Sequence, residues 1–519
     1  MTVAEVSPIT DSHRRSVPLT LKLSAAFVAL VPLALALRSG SNLFNSPLVE
    51  DAYYSLTVAR NIATGHGFTV DGTMLTNGVQ PLVTVISSIV FLGSPPTDVS
   101  IRLLLILNWM IMLGFATTIG VILRDLLAER EHPEARQFWF LTSFTVAMSC
   151  QYVLAMSFNG LETGGQLLAY ALVARFLQTH AMNSLKDAAK LGVLLGFVVL
   201  VRIDAVTLCF VVVGWMLFFR RHERGLLHAA LVGIIAFAVS SPWWIYNVVQ
   251  FGSLVPVSGQ SESKVAFDSA RIVPMLTSIA KSLSPWAYTS ATVSLLVASL
   301  QLAVVAVITV LGIRTWRSLN GTGEYLERKR NLGSFIAVFV TTLALLVVVY
   351  FITSVASWFY WRYLAVASIL SIGLTVLSLK WLSARRPRLV IVAIVGLAAW
   401  STVYPVGSFV HKGNDLQTNQ VKLVSEYVPD GERVASIQSG TLGFFEENVV
   451  NLDGKVNPNA LKNRSRTGYF LRENEINWFA DWTVLFPMIL TGDPAIDEQW
   501  QLVSKSGNIG IWHFGPVEG

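Results

Sequence analysis

Long apolar segments, separated mostly by short polar loops, run through this chain from residue 19 to residue 406. A helix of about 20 apolar residues crosses a hydrocarbon layer about 30 Å thick. The segments that approach or reach this length are 19–37, 102–123, 138–156, 163–179, 188–202, 205–219, 226–246, 290–313, 334–355, 363–382 and 389–406. The pattern therefore predicts an α-helical polytopic membrane protein with about 11 transmembrane helices.

The first long polar interruption, residues 38–101, contains two adjacent carboxylates, Glu50 and Asp51. Ser46-Pro47 predicts the start of a helix, with serine as the N-cap and proline at the first helical position. Gly65-His66-Gly67 predicts the end of that helix. Acidic groups beside a membrane are costly and normally serve a function, so this segment is predicted to be a catalytic loop.

Basic residues give the predicted orientation of the helices. The apolar segment 81–93 is too short to cross and is expected to lie at the outer interface. With that choice, the Arg- and Lys-rich segments all fall on one side; they are residues 1–18, 124–137, 220–225, 314–331 and 380–388. Such residues mark the cytoplasmic side. Residues 1–18 are therefore predicted as a cytoplasmic tail, and the loop 38–101 as outside.

The composition becomes that of a soluble domain after residue 407. The segments 433–437 and 449–452 predict strands, and Ser506-Gly507-Asn508 predicts a turn between the last two strands. An odd number of crossings puts this region outside, beside the catalytic loop. The predicted organisation is a transmembrane module, 19–407, followed by a small α/β extracytoplasmic domain, 408–519.

Composition supports a membrane protein and argues against other classes. The 519 residues are 53% hydrophobic and 13% charged, against about 25% charged in soluble domains. The net charge of +6 reflects the basic loops, so no nucleic-acid partner is predicted. Cys150 and Cys209 lie in apolar segments, which disfavours a disulfide framework or a zinc site. No cofactor is predicted, although Glu50 and Asp51 together suit a divalent cation.

The paired carboxylates are the candidates for acid–base chemistry. In a pocket that excludes water, Asp51 can act as a general base on an acceptor hydroxyl. Glu50 can assist, orient a partner or bind a cation. Adjacent positions on a helix point about 100° apart, so the two carboxylates need not share a role. The structural alternative is that both face headgroup water.

Ionisable and polar residues at the predicted outer ends of the helices are further candidates. An arginine fork matches a phosphate bidentately, so Arg362 and Arg202 are candidate ligands of a donor phosphate; the alternative for Arg202 is an ion pair with Asp204. The candidate substrate-binding residues are His66, Asn77, Gln80, Glu162, Asp204, Tyr360, Asn451 and Asp453. For those in turns, the alternative is ordinary turn or capping chemistry.

The acidic pair in the first outer loop, here EDAYY (50–54), resembles the GT-C class of membrane glycosyltransferases. That class includes the protein O-mannosyltransferases, the lipid A aminoarabinose transferase and the mycobacterial arabinofuranosyltransferases. Further motifs are similar to one bacterial branch of the class: NGLETG (159–164), VRID (201–204), PWWIYNVVQFGSLVPVSG (242–259), FYWRYL (359–364) and GTLGFFEENVVNLDGKVN (440–457). The chain departs from that branch at Glu50, where Asp is common, and at Val79-Gln80, where an aromatic residue and His are common.

The resemblance implies a GT-C fold and an inverting glycosyltransferase. A sugar would pass from a polyprenyl-phosphate donor to a glycan, lipid or protein acceptor in the cell envelope, at the outer face of the membrane. Asp51 would match the catalytic acid of the class, used as the base. The expected partners are the lipid-linked donor, the acceptor and membrane lipids, and the expected location is the inner (cell) membrane of a bacterium.

Two other functions fit a polytopic membrane protein. One is a transporter or flippase of a lipid-linked or envelope intermediate. Carriers commonly hold polar groups at mid-membrane on broken helices from repeated halves, whereas here the ionisable residues gather near one face and no repeat is visible. The other is a non-catalytic glycan-binding membrane protein, which would not need Asp51 as a base.

Overall fold

The computed structural model describes residues 16–128, 132–219, 225–284, 286, 295–321, 323–410 and 416–516. The predicted tail, residues 1–18, lies almost wholly outside the described residues. Helices dominate the first four-fifths of the chain. The first twelve α-helices are α1 Leu19–Leu30, α2 Ser41–Asn45, α3 Glu50–Ala63, α4 Pro81–Ser88, α5 Thr97–Leu127, α6 Pro133–Met148, α7 Gln151–Phe158, α8 Thr163–Thr179, α9 Leu185–Val201, α10 Val206–Phe219, α11 Gly225–Phe251 and α12 Val257–Ser261.

The second half of the chain adds the remaining helices and all of the named strands. The helices are α13 Ile272–Leu283, α14 Leu295–Ser318, α15 Glu324–Thr353, α16 Tyr360–Tyr363, α17 Ser368–Ser383, α18 Pro387–Trp400, α19 Val403–Val410, α20 Leu416–Tyr427, α21 Gly440–Phe445, α22 Pro458–Lys462, α23 Thr467–Glu473 and α24 Pro494–Asp497. The strands are β1 Val434–Ser436, β2 Val449–Asn451, β3 Trp478–Trp482, β4 Trp500–Ser506 and β5 Ile509–Phe514.

Among the described residues, the predicted crossings are helical over nearly all of their length, which confirms the α-helical polytopic fold class. Within the described residues, 7 helical segments are long and apolar enough to cross a bilayer: Leu19–Leu37, Thr97–Leu127, Gly225–Phe251, Leu296–Ser318, Glu324–Thr353, Ala365–Ser383 and Pro387–Gly407. An eighth candidate is the pair α6 and α7, bent by 62°. The helices α8, α9 and α10 have 17, 17 and 14 residues, so the total of eleven crossings stays a prediction.

Small residues allow the central helices to approach closely. Gly192 and Gly196 lie one turn apart on α9 and face α11. A Cβ atom on Gly196 would lie 2.5 Å from the Cβ of Val239. Any larger residue at position 196 would therefore clash with α11 and force the two helices apart. Such small-residue contacts are typical of helix pairs in membranes. This packing fixes the carboxyl end of α9, where Arg202 follows.

The predicted start of the first-loop helix is wrong by about one turn. Helix α3 begins at Glu50, with Val49 as its N-cap and no side-chain capping bond. The backbone N–H of Val49 donates instead to the carbonyl oxygen of Asn159 at 3.1 Å, so a tertiary contact, not the Ser46-Pro47 signal, sets where the helix begins. The predicted end is confirmed, because α3 ends at Ala63 and Gly65 follows with φ +89°.

A five-stranded sheet forms the core of the C-terminal region, in the order β2-β1-β3-β5-β4. β1 pairs in parallel with β2 and β3, whereas β5 pairs antiparallel with β3 and β4. The two predicted strands and the predicted turn between the last two strands are therefore confirmed. Apolar side chains cover both faces of the sheet, including Phe479 and Trp512 in one cluster and Leu442 and Trp478 in the other.

The C-terminal region packs directly against the first loop. The ring of Phe444 on α21 lies 5.2 Å from that of Tyr53 on α3. Arg60 of α3 stacks its guanidinium over Phe444, 4.8 Å from the ring centroid, and donates to its carbonyl oxygen at 2.9 Å. Helix α3 is therefore buried on most of its circumference, between the helical bundle and the sheet region. This packing holds the amino end of α3, with its two carboxylates, in place.

Candidate active site

The carboxylate of Asp51 on α3 contacts two residues that are far from it in sequence. Arg362, on α16, donates from Nη1 to Asp51 Oδ2 at 2.9 Å. Lys455, in the loop after β2, donates from Nζ to Asp51 Oδ1 at 3.2 Å. The two cations therefore take one carboxylate oxygen each. Two residues predicted from the sequence, Asp51 and Arg362, are brought into direct contact.

Further groups hold the two cations next to each other. Lys455 Nζ also lies 3.5 Å from Glu262 Oε1 and 3.8 Å from Asp453 Oδ2. The ring of Phe359 supports both cations: its centroid is 4.6 Å from the guanidinium carbon of Arg362 and 5.3 Å from Lys455 Nζ. We call Asp51, Glu262, Arg362, Asp453 and Lys455 the ion cluster.

The surrounding charges favour the ionised forms of Asp51 and Lys455 in the ion cluster. Burial opposes the ionisation of Asp51, but the charges of Lys455 and Arg362 outweigh it and lower the pKa of this carboxyl below its ordinary value. Burial also disfavours the charged form of Lys455, yet the carboxylates of Asp51, Asp453 and Glu262 raise its pKa. Asp51 also lies in the first turn of α3, where the helix dipole favours an anion.

Glu50 lies in the opposite environment, although it is adjacent to Asp51. Burial, followed by repulsion from Asp51 and Asp453, raises the pKa of Glu50 well above its ordinary value. Its Oε1 accepts a hydrogen bond from the backbone N–H of Gly440, and its Oε2 has no hydrogen-bond partner among the described residues. The surroundings therefore favour the neutral form of Glu50 and the anionic form of Asp51.

A polar network behind the ion cluster fixes the loop that carries Lys455. The Tyr54 hydroxyl donates to Asp453 Oδ2 at 3.1 Å and accepts from Asn451 Nδ2 at 3.2 Å. Asn451 also donates to Ser439 Oγ at 2.8 Å and accepts from the N–H of Gly454 at 3.1 Å. Its amide is buried and hydrogen-bonded through both of its polar atoms, so it holds the loop in place. A role for Asn451 in substrate binding stays a prediction.

Gly78 brings the first loop against this same region. A Cβ atom on Gly78 would lie 2.0 Å from the carbonyl oxygen of Lys455, so only glycine allows this approach. Its neighbour Asn77 is fully buried: Nδ2 donates to Asn247 Oδ1 at 3.0 Å, and Oδ1 accepts from the N–H of Val257 at 2.9 Å. Both polar groups of Asn77 thus have internal partners, and its contact with a sugar stays a prediction.

Arg202 forms ion pairs with carboxylates of the bundle. Its Nε lies 3.2 Å from Asp204 Oδ2 and 3.6 Å from Glu162 Oε1, and its Nη1 donates to Gln166 Oε1 at 3.1 Å. Only 3% of its surface is exposed. The structure thus contains the Arg–Asp pair that was the alternative for Arg202, and Glu162 is a second counter-ion. The phosphate-ligand role of Arg202 and the substrate contacts of Glu162 and Asp204 stay predictions.

The remaining candidates lie outside the ion cluster. Tyr360 is buried and donates from its hydroxyl to the carbonyl oxygen of Ser354 at 3.2 Å; its role in substrate binding stays a prediction. Gln80 Oε1 accepts from the N–H of Ile203 at 3.1 Å, which links the first loop to α10. His66 is exposed beside a separate cavity. A role for His66 in substrate binding stays a prediction.

Sequence reasoning missed two members of the ion cluster, Lys455 and Glu262. Lys455 belongs to the quoted segment 440–457, but only Asn and Asp were selected there as sugar-binding types. Glu262 is an isolated acidic residue in a serine-rich loop and carries no local signal. Within the described residues, no group of three or more His, Cys, Asp or Glu side chains is arranged to hold a metal ion. Whether a cation binds to the acidic pair stays open.

Comparisons with known proteins find similarity to solved structures. No family model and no curated protein sequence matches this chain. The apo structure of ArnT from Cupriavidus metallidurans is similar at TM-score 0.51 and 14% identity over 95% of this chain and 97% of that one. ArnT bound to undecaprenyl phosphate gives 0.46 and 12% over the same shares. Archaeal oligosaccharyltransferase AglB from Archaeoglobus fulgidus, in complex with an inhibitory peptide and a dolichol-phosphate, gives 0.48 and 12% over 96% of this chain and 74% of that one.

The match to apo ArnT, a GT-C glycosyltransferase, extends over almost the whole of both chains. At this level of identity it establishes a shared fold. The GT-C fold predicted from the motifs is therefore confirmed, together with its helical module and its small C-terminal sheet.

Proposed function

We propose that this protein is an inverting glycosyltransferase that moves a sugar from a polyprenyl-phosphate donor to a cell-envelope acceptor, with Asp51 as the general base. The acceptor is a glycan, a lipid or a protein. The observation that carries the proposal is the Asp51 carboxylate, held between Arg362 and Lys455 at 2.9 and 3.2 Å. A base and two cations for a phosphate thus occur in one cluster, on the fold of ArnT.

The two cations suit the leaving phosphate. Without a donor, Arg362 and Lys455 are neutralised by Asp51 and its acidic neighbours. A donor phosphate competes for the same N–H groups, and charge-assisted hydrogen bonds to phosphate oxygens are strong. When the phosphate takes them, Asp51 gives up partners and becomes a stronger proton acceptor. The same cations then stabilise the negative charge that grows on the phosphate in the transition state.

The proposed reaction is a single displacement. Asp51 takes the proton of the acceptor hydroxyl as that oxygen attacks the anomeric carbon of the donor sugar. The bond from the anomeric carbon to the phosphate oxygen breaks, and polyprenyl phosphate leaves with the electron pair. The configuration at the anomeric carbon inverts. Because Glu50 is neutral, it adds no second negative charge to repel the leaving phosphate.

Apolar side chains exposed near the ion cluster support a donor that arrives within the bilayer. The side chains of Val265, Phe267 and Trp358 are 78%, 77% and 62% exposed. Val265 and Phe267 follow Glu262 on a segment whose Lys264 N–H donates to the carbonyl oxygen of Thr353 at 2.8 Å, at the end of α15. Exposed apolar groups of this size mark interaction surfaces, and a polyprenyl tail has the matching chemistry.

The proposed orientation follows from the basic loops and the order of the helices. The N-terminus is cytoplasmic, and the ion cluster and the C-terminal region lie at the extracytoplasmic face of a bacterial inner membrane. A donor carried by lipid suits this side, because nucleotide sugars are cytoplasmic substrates. The aromatic residues near the ion cluster, including Trp358 and Phe359, fit an interfacial position.

A transfer assay on the purified protein in liposomes tests the proposed class. The protein is offered a panel of polyprenyl-phosphate sugars, with a total envelope extract as the acceptor, and the anomeric configuration of the product is determined by NMR. We expect transfer from at least one polyprenyl-phosphate sugar, with inversion. Transfer from nucleotide sugars instead, or retention of configuration, would contradict the proposal.

A further inference from the structure

A cavity of about 620 Å³ lies between the first loop and the C-terminal region, behind the ion cluster. One wall is formed by α3 and the loop 64–73, and the other by α21 and β2. Its size falls within the range of small-molecule sites, about 300–1,000 Å³. Asp51 does not line it. The proposed transfer reaction leaves this cavity without a role.

The inner wall of the cavity contacts the ion cluster from behind. Tyr54 lines the cavity, and its hydroxyl donates to Asp453 of the ion cluster at 3.1 Å. Gly440 also lines it, while its N–H donates to Glu50. A ligand in the cavity is therefore separated from the reacting groups by one layer of residues. Such a position suits a part of a substrate that is held but does not react.

The polarity of the lining indicates the class of ligand. Hydroxyl and amide side chains, among them Thr57, Asn61 and Thr64, are interspersed with the aromatic rings of Phe444 and Phe445. Donors and acceptors beside an aromatic face match the hydroxyl groups and the C–H face of a sugar ring. Thr57 and Asn61 donate to the carbonyl oxygens of Tyr53 and Thr69, so the side-chain oxygen of each can still accept a hydrogen bond from a ligand hydroxyl. A lipid tail has no such hydroxyl to offer.

The charges of the lining argue against a phosphate or another anion. Two guanidiniums, of Arg60 and Arg433, face three carboxylates, of Asp71, Glu446 and Glu447. Both guanidiniums also have internal partners, because Arg60 donates to the carbonyl oxygen of Phe444 and Arg433 to that of Asn474. The lining therefore has no surplus of positive charge. A neutral ligand is favoured.

The loop 64–73, which forms part of the cavity wall, is ordered by internal hydrogen bonds. Asp71 accepts hydrogen bonds from the N–H groups of Thr73 and Met74 at 2.9 and 2.7 Å, and Thr69 bridges to Leu75. Asn61 of α3 donates to the carbonyl oxygen of Thr69 at 2.9 Å. The cavity thus has a defined shape before any ligand arrives. Preorganisation of this kind lowers the cost of binding.

We propose that this cavity binds a neutral carbohydrate, the part of a glycan acceptor or product next to the reacting sugar. The assignment to the acceptor rests on the proposed transferase function; carbohydrate binding itself does not. If the cavity holds part of the acceptor, the acceptor is a glycan rather than a lipid or a protein.

The test is equilibrium binding of labelled oligosaccharides to the full chain in detergent, without any donor. The probes are short neutral hexose and pentose oligosaccharides and uronic-acid oligosaccharides of matched length. We expect saturable binding of at least one neutral probe and weaker binding of its acidic counterpart. Thr64→Trp fills the mouth of the cavity and Glu447→Ala removes a polar partner. Each is expected to weaken binding by at least about tenfold, which equals about 1.4 kcal/mol.

Matched controls on an exposed face of α20, away from the cavity, are Ser425→Trp and Glu426→Ala, and both are expected to bind as the wild type does. Asp51→Asn is also expected to keep the binding, because Asp51 does not line the cavity. The proposal is overturned if no neutral probe binds, or if Thr64→Trp and Glu447→Ala both bind like their controls. Because the assay contains no donor, this result is separable from success or failure of the transfer reaction.

Discussion

Glu50 and Asp51 are chemically similar neighbours whose surroundings give them different protonation states. Asp51 faces Arg362 and Lys455 and is held as an anion. Glu50 faces the N–H of Gly440, and burial and its acidic neighbours raise its pKa and so favour its neutral form. Two carboxyl groups with divergent pKa values commonly take different roles in catalysis. The sequence offered both as candidates but could not separate them, because the separating groups lie hundreds of residues away.

Replacing Glu50 with Gln tests its neutral state. The pKa of Glu50 in the folded protein lies above that in an unfolded chain, so its contribution to stability is present at low pH and is lost as pH rises through the folded pKa. We expect the wild-type melting temperature to fall through that window and the Glu50→Gln curve to be flatter, with most transfer activity retained at neutral pH. The measurement is the melting temperature of both proteins across pH. If the two temperatures change with pH in parallel, the pKa of Glu50 is not raised.

Replacing either cation of the ion cluster tests the phosphate assignment. A hydrogen bond to a charged group contributes about 1.5–3 kcal/mol, so Arg362→Ala and Lys455→Ala should each weaken donor binding by about one to two orders of magnitude. Lys462→Ala, an exposed lysine on α22, is the matched control and should bind as the wild type does. Donor titrations with polyprenyl-phosphate sugar provide the measurement. Unchanged affinity in both cluster variants would contradict the assignment.

Arg202 provides the contrasting case of a buried arginine that is paired with two carboxylates of the bundle. Removing one partner of a buried ion pair costs about 3–5 kcal/mol, and Glu162 and Asp204 would be left without their cation. We expect Arg202→Ala to lower the melting temperature strongly, while the protein that remains folded binds donor with near-normal affinity. A selective loss of donor affinity at unchanged stability would restore Arg202 as a phosphate ligand.

At the scale of elements, the contact between α3 and α21 holds the acidic pair in place. A Cβ atom on Gly440 would lie 2.4 Å from the carbonyl oxygen of Glu50, whereas on Gly443 it would meet Val449 at an ordinary 3.7 Å. Gly440→Ala should therefore destabilise the protein by about 1–3 kcal/mol through overpacking and reduce transfer. Gly443→Ala, one turn later, should be neutral or slightly stabilising, because alanine favours helix. Equal melting temperatures for the two variants would contradict this prediction.

Elements with a strong local pattern were predictable, and elements set by distant contacts were not. Long apolar segments located the helices of the bundle, and short segments rich in strand-forming residues located β1 and β2. The start of α3 was misplaced because the bond from Val49 to Asn159 overrides the local capping signal. Asn77 and Tyr360 resemble surface ligands in sequence, but the fold buries them and occupies their polar groups. Lys455 and Glu262 enter the site through chain topology, which no local motif encodes.

At the scale of the whole molecule, the orientation in the membrane is open to direct measurement. Ser425→Cys on α20 and Asn320→Cys in the loop before α15 are both exposed in the structure. In intact cells, a membrane-impermeant maleimide should label the first and should label the second only after permeabilisation. The parent chain, with Cys150 and Cys209 in the helical bundle, gives the background. The reverse pattern would invert the proposed topology.

The most direct measurement compares transfer rate and donor affinity in the wild type, Asp51→Asn and Asp430→Asn, an exposed acidic control in the C-terminal region. Loss of a general base should reduce the rate by at least about a hundredfold in Asp51→Asn alone. Its donor affinity should be unchanged or higher, because Arg362 and Lys455 lose an internal counter-ion. Transfer by Asp51→Asn at the wild-type rate would contradict the account, since Asp51 could then not be the general base.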